Sequence, residues 1–185
     1  MKYRVLTYGN DVLRRKAQPV RSFDSKLREL ARDLIETMHA SSGVGLAAEQ
    51  IGRTEAVCVI HVPPSQDRNA ETGERANPDL DMPLVLVNPS ITDTEGTQTD
   101  REGCLSFPEI YVAIRRPYRV TCSYLDMDGS PRTVTASGLV ARAIQHEVDH
   151  LNAVLLVDRM SPVQKLAMAG RLKRLKKMSA EEGSF

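Results

Sequence analysis

The sequence has no tryptophan and only three phenylalanines and five tyrosines in 185 residues. So few rings leave no platform on which the bases of single-stranded nucleic acid would stack. Net charge is nearly absent as well. Twenty-five basic residues stand against 24 acidic ones, leaving +1, which calls for neither a nucleic-acid nor a membrane partner. Cysteine is scarce and odd in number. Cys58, Cys104 and Cys122 lie far apart, which argues against a disulfide framework and for a reducing compartment. No run approaches the roughly 20 apolar residues of a membrane span. The opening Met1-Lys2-Tyr3-Arg4-Val5-Leu6 lacks the apolar stretch and small-residue cleavage site of a secretory signal. A soluble, cytoplasmic protein is expected.

What is present is a globular balance, 41% hydrophobic and 26% charged. The length suits one compact domain over 1–185 and is too short for two. Over residues 24–39, Leu27, Leu30, Ala31, Leu34, Ile35 and Met38 repeat at helical spacing. Asp24 or Ser25 serves as the cap. Glu55–Val62 alternates like a buried strand, and Leu84–Ile91 reads as another. Between them, residues 63–83 carry four prolines and Gly73 among polar residues and read as a long surface loop. Arg119–Leu125 and Arg132–Thr135 flank the turn formers Asp128-Gly129-Ser130-Pro131.

Ser137 is placed to cap a second helix, with Leu139, Val140, Ala143, Ile144 and Leu151 on one face. Ser161-Pro162 opens a third, because Pro is favoured at the first helical position. That helix carries Arg171, Lys173, Arg174, Lys176 and Lys177, read as a solvated helix end rather than a binding surface. The pattern predicts an α+β fold, in which antiparallel strands pack around a central helix with an N-terminal and a C-terminal helix beside them.

The central helix holds the sharpest motif, His146-Glu147-Val148-Asp149-His150. Residues four apart share a helix face, so two imidazoles can chelate one metal ion while Glu147 reaches a neighbouring water. Two histidines call for a third protein ligand. Asp158 lies downstream, but not at the spacing that zinc peptidases use. Cys104 is a better candidate, since Gly103 and Pro108 bracket an irregular backbone that can present a thiolate. Cys58 and Cys122 sit in apolar, strand-like runs where a free cysteine is a small hydrophobe. A third segment, Gly43-Val44-Gly45-Leu46-Ala47-Ala48-Glu49-Gln50, has glycines that allow close backbone approach and an uncharged amide, Gln50, able to donate to an oxyanion. Taken singly, neither the cysteine nor the glycine-rich segment decides anything.

Taken in order, Gly43–Gln50, Glu102–Ser106 (Glu-Gly-Cys-Leu-Ser) and His146–His150 resemble the peptide deformylase family over nearly the whole chain. The resemblance implies removal of the formyl group from the N-terminal formyl-methionine of new polypeptides. It implies one divalent metal ion, Fe(II) first with Zn, Ni or Co able to replace it, held by Cys104, His146 and His150. Glu147 would be the general acid/base. Gln50 and the Leu105 N–H would line an oxyanion hole, and Val44 and Gly45 the substrate site. The partners implied are N-formylmethionyl nascent peptides met near the ribosome, by a monomer that needs no membrane and no specific nucleic acid.

The chemistry suits these residue types. A bound cation makes water acidic enough to attack an amide near neutral pH and polarises the carbonyl. A carboxylate then shuttles the proton to the leaving amine. Two positions depart from the family's pattern. Glu49 stands where Pro is common, and Ala153 where Gly follows the metal helix. Ala153 predicts a helix end without positive φ. A zinc peptidase shares the helix but leaves Gly43–Gln50 and Glu102–Ser106 unexplained. A silent metal-binding domain leaves Glu147 and Gln50 without purpose.

Overall fold

The computed structural model describes residues 2–69 and 71–182. Helix α1 (Ser25–Ala40) starts where the sequence places it, because the Asp24 carboxylate accepts from the Lys26 and Leu27 N–H groups at 3.0 and 3.2 Å. The strands follow as β1 (Gly45–Ala47), β2 (Val57–Ile60), β3 (Leu84–Glu95), β4 (Gln98–Gly103), β5 (Tyr111–Arg116), β6 (Arg119–Leu125) and β7 (Pro131–Ser137). Three helices complete the chain: α2 (Gly138–Leu151), α3 (Leu156–Arg159) and α4 (Pro162–Glu182).

Five strands form an antiparallel sheet in the order β1-β2-β3-β6-β7, and β4 pairs with β5 in a separate ribbon. One sheet face packs on α1 through Leu27, Leu34, Met38, Val57, Val59 and Val87. The other packs on α2 through Cys58, Ile60, Leu86, Val134, Ile144 and Val148. A third cluster, with Phe107, Ile114, Leu155 and Leu175, joins the ribbon to α3 and α4. Helix α2 is buried along nearly its whole length, polar residues included. The α+β expectation with a central helix holds. No helix among the described residues is long and apolar enough to cross a membrane.

Several details differ from the sequence reading. Strand β3 continues to Glu95, with its register against β6 shifted near Asn88, a residue at φ 50°. Ser137 occupies the cap position of α2, but its hydroxyl caps nothing. Ser161 does cap α4: its Oγ accepts from the Gln164 N–H at 3.2 Å, while its own N–H donates to Gln164 Oε1 at 2.8 Å.

The end of α2 overturns an expectation. Ala153 takes φ 61°, and the bonds Ala153 N–H to His150 O and Val154 N–H to Asp149 O, both 2.9 Å, close the helix in the manner normally given to glycine. Those two bonds satisfy the last carbonyls of α2 and hold an L-residue in the left-handed region.

Candidate active site

Three stretches remote in sequence meet where the hydrophobic clusters adjoin. Val44 packs on the α2 cluster, Cys104 on the α4 cluster and Leu105 on the α1 cluster. Cys104 directly follows β4, in the irregular turn that the sequence predicts. His146 and His150 lie one helical turn apart on α2, with ring centroids 5.0 Å apart at 67°. One ligand atom from each of Cys104, His146 and His150 lies within 4.8 Å of the others. Cys104 Sγ is 3.2 Å from His150 Nε2.

The nitrogens left to face the sulfur are decided by the surroundings. His146 Nδ1 is engaged by Glu102 Oε1 at 2.6 Å, which leaves Nε2 for a ligand. Burial first, then the neighbouring His146 and Arg116, push His150 well below the usual histidine range, so it is neutral as a metal ligand must be. Burial opposes charge on His146 too, but Cys104 and Glu102 outweigh it and raise that imidazole. A soft sulfur and two imidazoles in this arrangement fit a divalent transition metal.

Glu102 is the hub behind the site, 5% exposed. It accepts from Arg116 Nε and Nη2 at 2.7 and 2.6 Å, from Arg142 Nη1 at 2.9 Å, and from His146. Burial alone would raise its pKa, yet the Arg116 and His146 hydrogen bonds hold it far below the carboxylate range. Arg116 also donates to Asp149 at 2.9 Å, and Arg159 pairs with Asp149 through Nε at 2.9 Å. Asp149, next to His150, is thus anchored by two arginines, Arg116 and Arg159.

Glu147 is 3% exposed and its Oε2 is buried without a hydrogen-bond partner. Burial, only partly offset by His146, raises its carboxyl to about 7. A Cβ on Gly45 would lie 2.3 Å from Glu147 Oε1, so only glycine leaves room for this carboxylate. Gln50 is oriented by the Ala47 N–H, which donates to its Oε1 at 2.9 Å. Gln50 Nε2 donates to Ser106 Oγ at 3.1 Å and to Cys104 Sγ at 3.6 Å. The Leu105 N–H makes no hydrogen bond among the described residues. A cavity of about 580 Å³ opens here, with Val44, Gly45, Gln50, Cys104, Leu105 and Glu147 in its wall.

All eight residues singled out from the sequence therefore converge on one cavity or its floor: Val44, Gly45, Gln50, Cys104, Leu105, His146, Glu147 and His150. Asp158 does not join them. It binds Arg14 and accepts from the Leu155 N–H at 2.8 Å. Sequence reasoning gave no role to Glu102, Arg142 or Arg159. The available signals were an acid two residues before a candidate ligand and an arginine one turn before His146.

Three side chains able to hold a metal ion, beside a buried, protonatable carboxyl, an unopposed Leu105 N–H and the oriented amide of Gln50, are the equipment of a metal-dependent amide hydrolase. Residues 2–166 match the family model of polypeptide deformylase, and the chain belongs to that family, whose members remove N-formyl groups from nascent peptides. A peptide deformylase of Opitutus terrae is 41% identical over 183 residues, covering 97% of this chain and 95% of that one. The crystal structure of a peptide deformylase from Legionella pneumophila matches with TM-score 0.81 and 36% identity, over 97% of this chain and 98% of that one. That of Arabidopsis thaliana peptide deformylase 1B, in complex with an inhibitor, matches with TM-score 0.84 and 32% identity, over 100% and 95%.

Proposed function

We propose that Cys104, His146 and His150 hold one divalent metal ion, with Fe(II) as the resident metal and Zn, Ni or Co able to replace it, and that Glu147 carries the proton while formyl-methionyl peptides are deformylated. The observation that carries this reading is the convergence of the three ligand atoms within 4.8 Å, beside a buried carboxyl with an unpartnered oxygen. The ion supplies Lewis-acid polarisation of the formyl carbonyl and an acidified water. Glu147 takes the proton of the attacking water on Oε2 and delivers it to the departing amine. A carboxyl raised to about 7 suits both directions of that transfer at neutral pH.

Gln50 and Leu105 stabilise the negative oxygen that develops. Leu105 offers an N–H with no competing acceptor. Gln50 gives up its longer contact, the 3.6 Å one to Cys104, and keeps Ser106. Neutral donors fixed in this way favour the charged tetrahedral state over the neutral amide. Gly45 and Val44 form the wall against which the substrate lies.

The chain 1–185 is proposed to act as one catalytic domain and as a monomer, in the cytoplasm near the ribosome, where formylated chains emerge. Its three unpaired cysteines suit that reducing compartment. The test sets anaerobically purified, metal-loaded protein against formyl-Met, acetyl-Met and unmodified peptides. Formyl-Met alone should be turned over, and Glu147→Gln should cut kcat at least about 10²-fold with metal retained. Internal cleavage of the unmodified peptide, or near-normal turnover by metal-loaded Glu147→Gln, contradicts the reading.

A further inference from the structure

Residues 63–83 read from sequence as a polar surface loop, yet Asp67 within it is only 2% exposed. Its carboxylate accepts from Asn77 Nδ2 at 2.7 Å and from the Asn77 N–H at 3.1 Å, with Arg75 Nε at 3.5 Å. Asn77 then reaches the metal helix. Its Nδ2 donates to Ser137 O at 3.1 Å, and its Oδ1 accepts from the Ser137 N–H at 2.8 Å. Ser137 immediately precedes α2, and its own hydroxyl caps nothing. The side-chain amide of Asn77 thus fastens the loop to the start of α2, and a buried carboxylate in turn fixes that amide. Such a fully paired polar group has one geometry.

Next to Asp67 stands Gln66. Its side-chain amide has no hydrogen bond among the described residues, and it lines the catalytic cavity together with Val44, Leu139 and Ala143. Leu139, Ala143 and His146 share one face of α2 at helical spacing. From His146 to Leu139 is seven residues, roughly 10 Å along the axis. The cavity therefore runs along α2 from the metal ligands towards the start of the helix, where the Asn77–Ser137 fastening holds the loop.

We propose that Gln66 is a specificity-determining residue that closes the end of the pocket remote from the metal ligands and sets how long the first side chain of the substrate can be, with Asp67 and Asn77 as its positioning residues. The proposal rests on the deformylase reading above. With the formyl carbon at the metal ligands, the first side chain lies along Ala143 and Leu139 and meets Gln66 with its tip. A thioether tip tolerates the contact, because the amide can donate weakly to sulfur. A longer tip must displace the amide.

The test uses the metal-loaded full chain and three formyl peptides that differ only in the first residue: methionine, its S-ethyl homologue, and 2-aminooctanoate. An added methylene in a closed apolar pocket costs roughly 10–200-fold in kcat/KM, so wild type should fall steeply along the series. Gln66→Ala should raise the ratio of either longer substrate to methionine at least about tenfold. Asn77→Ala, with metal content checked, should move the same ratio the same way, whereas a purely structural role would depress all three substrates alike. An unchanged ratio in Gln66→Ala overturns the proposal and leaves the deformylase reading standing. No turnover of any of the three by wild type overturns both.

Discussion

Glu49 and Glu147 are both buried acids, and their surroundings set them apart. Glu147 lies beside His146 and opens on the cavity. Glu49, 1% exposed, has both carboxylate oxygens buried without a hydrogen-bond partner. Burial is the main cause raising its pKa to about 8, reinforced by Glu147 and Glu55. A raised acid favours the folded state while protonated in both states. As pH climbs from about 4.5 to about 8, the unfolded chain ionises Glu49 and the folded one does not. Stability therefore falls by up to about 1.4 kcal/mol per pH unit over that window, then levels off. Glu49→Gln removes this slope. Urea unfolding of both proteins at pH 5, 6.5 and 8 should show wild type losing about 3–4 kcal/mol relative to the variant across the series. A gap that stays constant with pH would mean that Glu49 is ionised and paired in the fold. The residue scale is also where the sequence spoke most clearly, because ligand chemistry needs few residue types at fixed spacing. Glu102 escaped notice because its role depends on Arg116 and Arg142, which only the fold brings to it.

At the scale of elements, what could be read depended on whether burial was apolar. Helices α1 and α2 show a 3.6-residue apolar repeat and were legible. Strand β4, Gln-Thr-Asp-Arg-Glu-Gly, buries only Glu102, through ion pairs, and so carries no apolar alternation. Strand β5 does alternate, but its third buried residue is Arg116, the same ion-pair partner. Strand β1, three residues long, is too short to show a period. The end of α2 was misread because Ala153 stands where glycine would signal positive φ, while the hydrogen bonds of the turn impose that φ on alanine. Alanine in the left-handed region costs roughly 1–2 kcal/mol, and glycine returns part of this as unfolded-state entropy. Ala153→Gly should therefore stabilise the protein by about 0.5–1 kcal/mol. A higher urea midpoint at unchanged m checks it, and a lower midpoint would mean that the alanine is unstrained.

Across the whole molecule, three apolar clusters converge on one point, and each lends the site one of its segments. The five-stranded sheet holds Gly45 and Val44, the ribbon ends at Cys104, and α2 carries both histidines and Glu147. The long loop 63–83 looked detached in sequence. Asp67 and Asn77 bind it to α2, a link between residues 60 positions apart that no local pattern announces. The central claim is that Cys104 completes the metal site, and one comparison tests it most directly: metal stoichiometry and deformylation of a formyl-Met peptide by Cys104→Ser beside wild type. Burial raises the thiols of Cys58 well above the usual range and of Cys122 to about 11, so serine at either position should retain the metal. Wild type should hold close to one divalent ion per chain and turn over the peptide. Cys104→Ser should lose most of the metal and nearly all activity, since a hard, weakly acidic hydroxyl replaces a soft anionic ligand. A Cys104→Ser protein that keeps both would contradict the account.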